Sequence, residues 1–245
     1  MTTSDRILGL TSHLEDIDGY ANLVFHDIAA GSTDDLWSRF DCTADNLHRI
    51  VDRFVETGLA SRTRLYFDDN HRSFYDLVLD IDLSRFAEVV AAVPVTSIGI
   101  PEKGTTEDLA RARHMGARIA AHGHSHVRLA DYAADGTRLP TPLRGPYATP
   151  GWRKPLSENE VLYQLVESAE RIDLFDTGEF VLPYGCYNET TLAINDRLRL
   201  FDFLATTDFE LDTGQQLRPR LLVMSSDTPE LVEQRILAEV ENHDE

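Results

Sequence analysis

Short apolar runs alternate with helix-period stretches along almost the whole chain, and this alternation limits the folds open to it. Residues 22–25, 63–67, 95–100, 118–121, 179–182, 203–206 and 221–224 read as seven strands. Between them lie helical patterns. Thr43 opens one, with Leu47, Ile50, Val51, Phe54 and Val55 as its apolar stripe and Gly58 past its end. Residues 84–92 read as helical. Thr105 or Thr106 caps a further helix that stops at Gly116, and Ser157-Glu158-Asn159-Glu160 is a capping box before a helix ending near Asp173. Residues 188–198 are helical in pattern, and Thr228-Pro229-Glu230 starts a last helix that runs to about Val240. Residues 1–19 form a polar lead-in, irregular or briefly helical. Residues 127–155, with Pro140, Pro142, Pro146, Pro150 and Pro155, form a long loop of the kind that is usually functional or mobile. Repeated strand–helix units imply an α/β fold with a parallel sheet of βα units, and the length fits a single domain of the barrel class over residues 1–245.

The polar residues with chemistry fall just after the strands: His26, Asp68, Asp69, His122, His126, Tyr184 and Asp227. In a closed α/β barrel those are the strand ends where active sites sit. The densest group is Ala121-His122-Gly123-His124-Ser125-His126. His122 and His126 stand four apart, so one tight loop can aim both at a single point, and imidazole is a common ligand for zinc. A catalytic metal usually takes three protein ligands. The adjacent carboxylates Asp68 and Asp69 offer one ligand and one base for an activated water. The plainer reading is a polar surface loop with three solvated imidazoles.

Net charge is −19, with 42 acidic against 23 basic residues, which argues against nucleic acid or an anionic membrane as partner. Only Lys103 and Lys154 among the cations are lysine, a skew that fits either genome composition or salt adaptation. Cys42 and Cys186 are far apart and read as free, buried thiols. Residues 1–10 lack the apolar core of a signal peptide and no apolar run reaches 18 residues, so a cytoplasmic protein without a membrane span is expected.

The order of these pieces resembles the polysaccharide deacetylase family, also called the NodB-homology or carbohydrate esterase 4 family, from about residue 20 to the C-terminus. Phe67-Asp68-Asp69-Asn70 is similar to its first motif, Phe-Asp-Asp-Gly, with Asn for Gly; Asn tolerates left-handed backbone. His122 to His126 is similar to the second motif, and Phe180-Val181-Leu182-Pro183-Tyr184-Gly185 to the third. Asn188-Glu189-Thr190-Thr191 and Ala205-Thr206-Thr207-Asp208 continue as members do. Phe25-His26-Asp27-Ile28 is similar to the opening of the poly-N-acetylglucosamine deacetylase branch.

The resemblance implies an irregular (β/α)₇ barrel and a divalent metal, most often zinc, held by Asp69, His122 and His126. It implies Asp68 as general base and the Tyr184 N–H as oxyanion donor, with Pro183 and Asp227 beside the substrate. The sequence departs from the family twice. Val181 stands where an Arg usually orients the base. Ser226, in Leu222-Val223-Met224-Ser225-Ser226-Asp227, stands where the fifth motif, Leu-His-Asp, carries the acid for the leaving amine. His26, oriented by Asp27 or Asp227 with its pKa raised, is the candidate replacement; a structural role under the site is the alternative. The expected activity is metal-dependent removal of an acyl group, acetyl above all, from an amino sugar such as a sugar nucleotide, a lipid-linked sugar or a natural-product intermediate. The alternatives are a hydrolase of a small non-sugar amide, or an inactive barrel that binds carbohydrate or a partner. Tyr132, Tyr147 and Trp152 could stack on a sugar face or simply pack.

Overall fold

The computed structural model describes residues 3–29, 41–77, 81–129, 156–172, 178–207, 212 and 214–243. The five loop prolines and Tyr132, Tyr147 and Trp152 lie outside these residues. The helices are α1 (Thr3–Asp16), α2 (Ala44–Glu56), α3 (Arg72–Leu77), α4 (Thr106–His114), α5 (Glu158–Ile172), α6 (Glu189–Leu198) and α7 (Pro229–His243). The strands are β1 (Ala21–Phe25), β2 (Ile28–Ala29), β3 (Cys42–Thr43), β4 (Thr63–Phe67), β5 (Glu88–Val93), β6 (Arg118–Ala121), β7 (Glu179–Val181), β8 (Phe203–Ala205), β9 (Leu217–Arg218) and β10 (Leu221–Leu222). Among the described residues, no helix is long and apolar enough to cross a membrane.

Eight strands form one parallel sheet in the order β10-β1-β4-β5-β6-β7-β8-β9, and β2 and β3 pair apart from it. Its edge strands, β9 and β10, are joined by Pro219-Arg220 alone, so the sheet curls until its two edges meet at a two-residue link. The expected barrel-like α/β fold is therefore present, with eight strands. Most capping signals act as read. Thr43 accepts from the Asn46 N–H, Thr105 and Asp108 form a reciprocal capping box, and Gly58 is left-handed at φ 76°. Ser157 and Glu160 also cap each other reciprocally.

One stretch differs from its sequence pattern. Residues 84–92 read as helix and 95–100 as strand, but the strand is Glu88–Val93 and Val95–Ser97 is a 3-10 turn. The run Val89-Val90-Ala91-Ala92-Val93 is buried on both faces, so it carries no two-sided alternation to distinguish it from a helix. Pro94 then ends the strand one residue before the expected one begins.

The alternation of side chains sorts the barrel interior into layers. Outward residues such as Leu23, Phe25, Leu65, Phe67, Ile119 and Phe180 meet the helices in the main core. Inward residues Val24, Tyr66, Val90, Ala92, Ala120, Val181 and Ala205 form a separate middle layer. Two positions earlier on the strands, at the N-terminal end, stands a charged layer. There Arg218 bonds Glu179 at 3.0 Å, Tyr66 donates to Glu179 at 2.8 Å, and Asn22 donates to Asp212 at 3.1 Å. Arg64 pairs with Asp212, and Arg118 with Glu88. Two positions past the middle layer, at the C-terminal end, the inward sites are His26, Asp68 and His122.

Candidate metal centre and catalytic site

Each main residue of the site continues its strand's alternation by one step. Asp68 follows the outward Phe67, and His122 follows the outward Ala121; both are buried. The chain then turns sharply. Asp69 and Asn70 have φ of 69° and 57°, His126 50° and Tyr184 60°. These are four of the seven non-glycine residues with positive φ among the described residues, and such conformers persist only where the surroundings enforce them, each costing about 1–3 kcal/mol. The enforcing contacts are visible. Asn70 donates its amide to Ser97 Oγ and to the Gly104 carbonyl, both at 3.1 Å, and accepts from the Tyr75 hydroxyl at 2.6 Å. Gln164 on α5 clamps the histidine loop: its Oε1 accepts from the Ser125 N–H at 3.1 Å and its Nε2 donates to Ser125 Oγ at 3.0 Å.

These turns bring Asp69, His122 and His126 together. Asp69 Oδ1 is 3.3 Å from His122 Nε2 and 3.0 Å from His126 Nε2, and one ligand atom from each residue lies within 4.8 Å of the others. His122 Nδ1 is 2.8 Å from the Val181 carbonyl, which can only accept, so that nitrogen carries the hydrogen. In the neutral ring Nε2 is then a lone pair aimed at the carboxylate. Two imidazole nitrogens and one carboxylate oxygen converging on one point fit a divalent cation of the zinc type. Burial pushes Asp69 up, but the imidazoles of His126, His122 and His71 around it outweigh this and hold its carboxyl well below the ordinary value. Burial pushes His126 down, and the Asp69 carboxylate more than reverses this.

Asp68 stands beside this point, its Oδ2 3.9 Å from His122 Nε2. Arg220, from the link between β9 and β10, reaches it from within the barrel. Arg220 Nη1 donates to Asp68 Oδ1 at 2.9 Å and to Oδ2 at 3.2 Å, while its Nε donates to the Thr206 carbonyl at 2.9 Å. Its guanidinium lies 5.0 Å from the centre of the Tyr66 ring. Burial alone would raise the Asp68 pKa; Arg220, His122 and His26 outweigh it and lower it. Val181, where the family resemblance puts an Arg, packs in the middle layer, and the cation that pairs with Asp68 comes from the link between β9 and β10.

His26 sits half-buried at the end of β1, within the field of Asp69, Asp68, His122 and Arg220. Burial lowers its pKa, with Asp69 and Asp68 opposing. The expectation that Asp27 or Asp227 orients it and raises its pKa is corrected. Asp27 accepts from Ser73 Oγ at 2.6 Å and faces His71 Nδ1 at 3.6 Å. Asp227 is buried, its Oδ2 taken by the Met224 N–H and by Arg235 Nη1, both at 2.8 Å, so it secures the turn into α7 and does not join the cluster. Pro183 is buried and starts the 3-10 turn that carries Tyr184. Ser226 is exposed. His124 turns away from the ligands, 3.1 Å from the Tyr163 hydroxyl. Cys42 and Cys186 are free and buried, as expected.

Four contributors escaped the sequence reading: Arg220, Gln164, His71 and Lys103. Lys103 Nζ is 3.0 Å from His71 Nε2, which is 3.8 Å from Asp69 Oδ2. His71 lies two residues past the acidic pair and Lys103 is one of two lysines, so both were open to notice. Nothing local distinguishes Arg220 from the other arginines.

No family model and no curated protein matches the sequence. Solved structures do match in fold. The Streptococcus pyogenes deacetylase PplD in complex with acetate superposes with a TM-score of 0.68 at 17% identity, covering 89% of this chain and 98% of that one. A de-N-acetylase from Aggregatibacter actinomycetemcomitans gives 0.67 at 14%, covering 89% and 100%. IcaB from Ammonifex degensii gives 0.64 at 16%, covering 91% and 97%. The chain thus has the NodB-like fold of these deacetylases.

Proposed function

We propose that the protein is a metal-dependent hydrolase of the polysaccharide deacetylase family, nearest its poly-N-acetylglucosamine branch, that removes an acetyl group from the nitrogen of an amino sugar. The observation that carries this reading is the convergence of Asp69, His122 and His126 beside an Asp68 gripped by a buried arginine. The shared fold with proteins named as deacetylases supports the same conclusion.

Asp69, His122 and His126 would hold the cation, with zinc favoured by the donor set. A cation there would lower the pKa of a bound water from about 15.7 toward 7 and polarise the acetamide carbonyl. Asp68, kept ionised by Arg220, takes the proton of the attacking water. The Tyr184 N–H, carried on a left-handed turn, donates to the oxyanion as it forms, which is worth about 3–4 kcal/mol. His26 delivers a proton to the leaving amine. Its lowered pKa means the ring is neutral at pH 7 and must first collect that proton. Asp68, whose field reaches His26, is the neighbour that acquires one in the preceding step.

The missing fifth-motif histidine is less of an obstacle than it looks in the sequence. Phe25-His26-Asp27 carries the same His-Asp pair just past the end of β1, which hydrogen-bonds to β10 with Val24 opposite Leu222. This pairing supports His26 as the acid, one strand over from Ser226. Metal analysis of the purified protein and acetate release from N-acetylated chitooligosaccharides test the reading. Near-stoichiometric divalent metal with acetate release is expected. Absence of bound metal would sink it, and bound metal without hydrolysis of any amide would favour a carbohydrate-binding role.

A further inference from the structure

Both metal-facing imidazoles are backed by the same short segment, the end of β7 and the turn after it. His122 Nδ1 lies 2.8 Å from the Val181 carbonyl, and His126 Nδ1 lies 3.3 Å from the Tyr184 hydroxyl. The His126 and Tyr184 rings stand 4.8 Å apart at 42°, which keeps the phenol over the outer edge of the imidazole. Tyr184 reaches this place only because its backbone is left-handed, at φ 60° and ψ 15°, and because the next residue is Gly185. A Cβ at position 185 would lie 2.1 Å from Thr207 Oγ1 and 2.7 Å from the Thr207 nitrogen, so no other residue fits there without displacing backbone.

We infer that residues 181–184 are a jig that sets the tautomer of both histidine ligands, with the Tyr184 side chain as a positioning group for His126. For Nε2 to offer its lone pair on the Asp69 side, Nδ1 must carry the hydrogen and needs an acceptor. Val181 supplies one through its backbone, which no substitution removes. Tyr184 supplies the other through a side chain, which can be removed. The segment therefore serves the site twice, by its backbone toward the substrate and by its phenol toward the ligand. Removal of the phenol leaves His126 free to place its hydrogen on either nitrogen, and the Nε2–H form cannot bind a cation.

This inference rests on the metal reading above, and its test separates the two. Zinc affinity is measured by competition with a chromophoric chelator in the wild-type chain and in Tyr184→Phe. Loss of an outer hydrogen-bond partner typically weakens metal affinity 10–100-fold, and a weakening in that range is expected. Long-range ¹H–¹⁵N spectra of the metal-free proteins at alkaline pH are expected to show Nδ1–H at His126 in the wild type and a mixture of the two tautomers in Tyr184→Phe, a signature that general loosening of the fold does not produce. Wild-type protein that binds no zinc would overturn the metal reading and this inference with it. Wild-type protein that binds zinc while Tyr184→Phe binds within twofold of it would overturn the inference alone. So would an Nε2–H tautomer at His126.

Discussion

Replacing Arg220 by Met tests whether the buried pair is what keeps the Asp68 carboxylate ionised. Arg220 is fully buried and Asp68 is 3% exposed, so neither charge has water to fall back on. The variant removes both bonds to the carboxylate and the bond to the Thr206 carbonyl. Removing one partner of a buried pair costs about 3–5 kcal/mol, because the other charge is left uncompensated. For a chain of this size that is a fall in thermal midpoint of about 6–20 °C. The pH dependence has a definite sign. The folded-state pKa of Asp68 is depressed, so its pairing stabilises the wild type above the ordinary value of 3.8, and this contribution is lost as pH falls through the lower folded value. In the variant, burial acts unopposed by Arg220 and raises the pKa, so the penalty opens as pH rises above about 4. The gap between the two proteins should be widest near neutrality and small near pH 3. Urea unfolding of metal-free protein across pH reads this directly. Adding Asp68→Asn removes the stranded charge and should recover most of the loss. A gap below about 1 kcal/mol at pH 7, or no recovery in the double variant, would refute a pairing that holds the base ionised.

Asp69→Ala should abolish zinc binding with the circular-dichroism spectrum retained, whereas Asp68→Asn should bind zinc normally and lose turnover; full activity in Asp68→Asn would remove it as the base. His26→Gln should lower kcat by about 10²–10⁴ with loss of the matching limb of the pH profile, and an unchanged profile would leave His26 a packing residue. Asn70→Gly relieves a positive φ yet deletes three side-chain hydrogen bonds. The hydrogen bonds should dominate, with a net loss of about 1–3 kcal/mol in urea unfolding, and a stabilised variant would contradict this.

The sequence by itself determined the periodic and the local. Strand alternation places His26, Asp68 and His122 on one inward face because side chains reverse at every residue. The four-residue spacing of His122 and His126, the paired aspartates and the capping boxes each act within a few residues, so their chemistry could be read before any fold was known. Residues 84–100 were misread because a strand buried on both faces loses the alternation that identifies it. The rest was decided by closure of the sheet. Arg220 and Asp68 are 152 residues apart and meet only because the edge strands are joined through Pro219-Arg220. The charged layer of Arg64, Glu88, Arg118, Glu179, Asp212 and Arg218 likewise pairs residues from six separate segments. Asp27 and Asp227, the groups expected to orient His26, are engaged instead by Ser73, His71 and Arg235. A charge inside a barrel is neutralised by whichever strand faces it across the interior, and sequence distance carries no information about that.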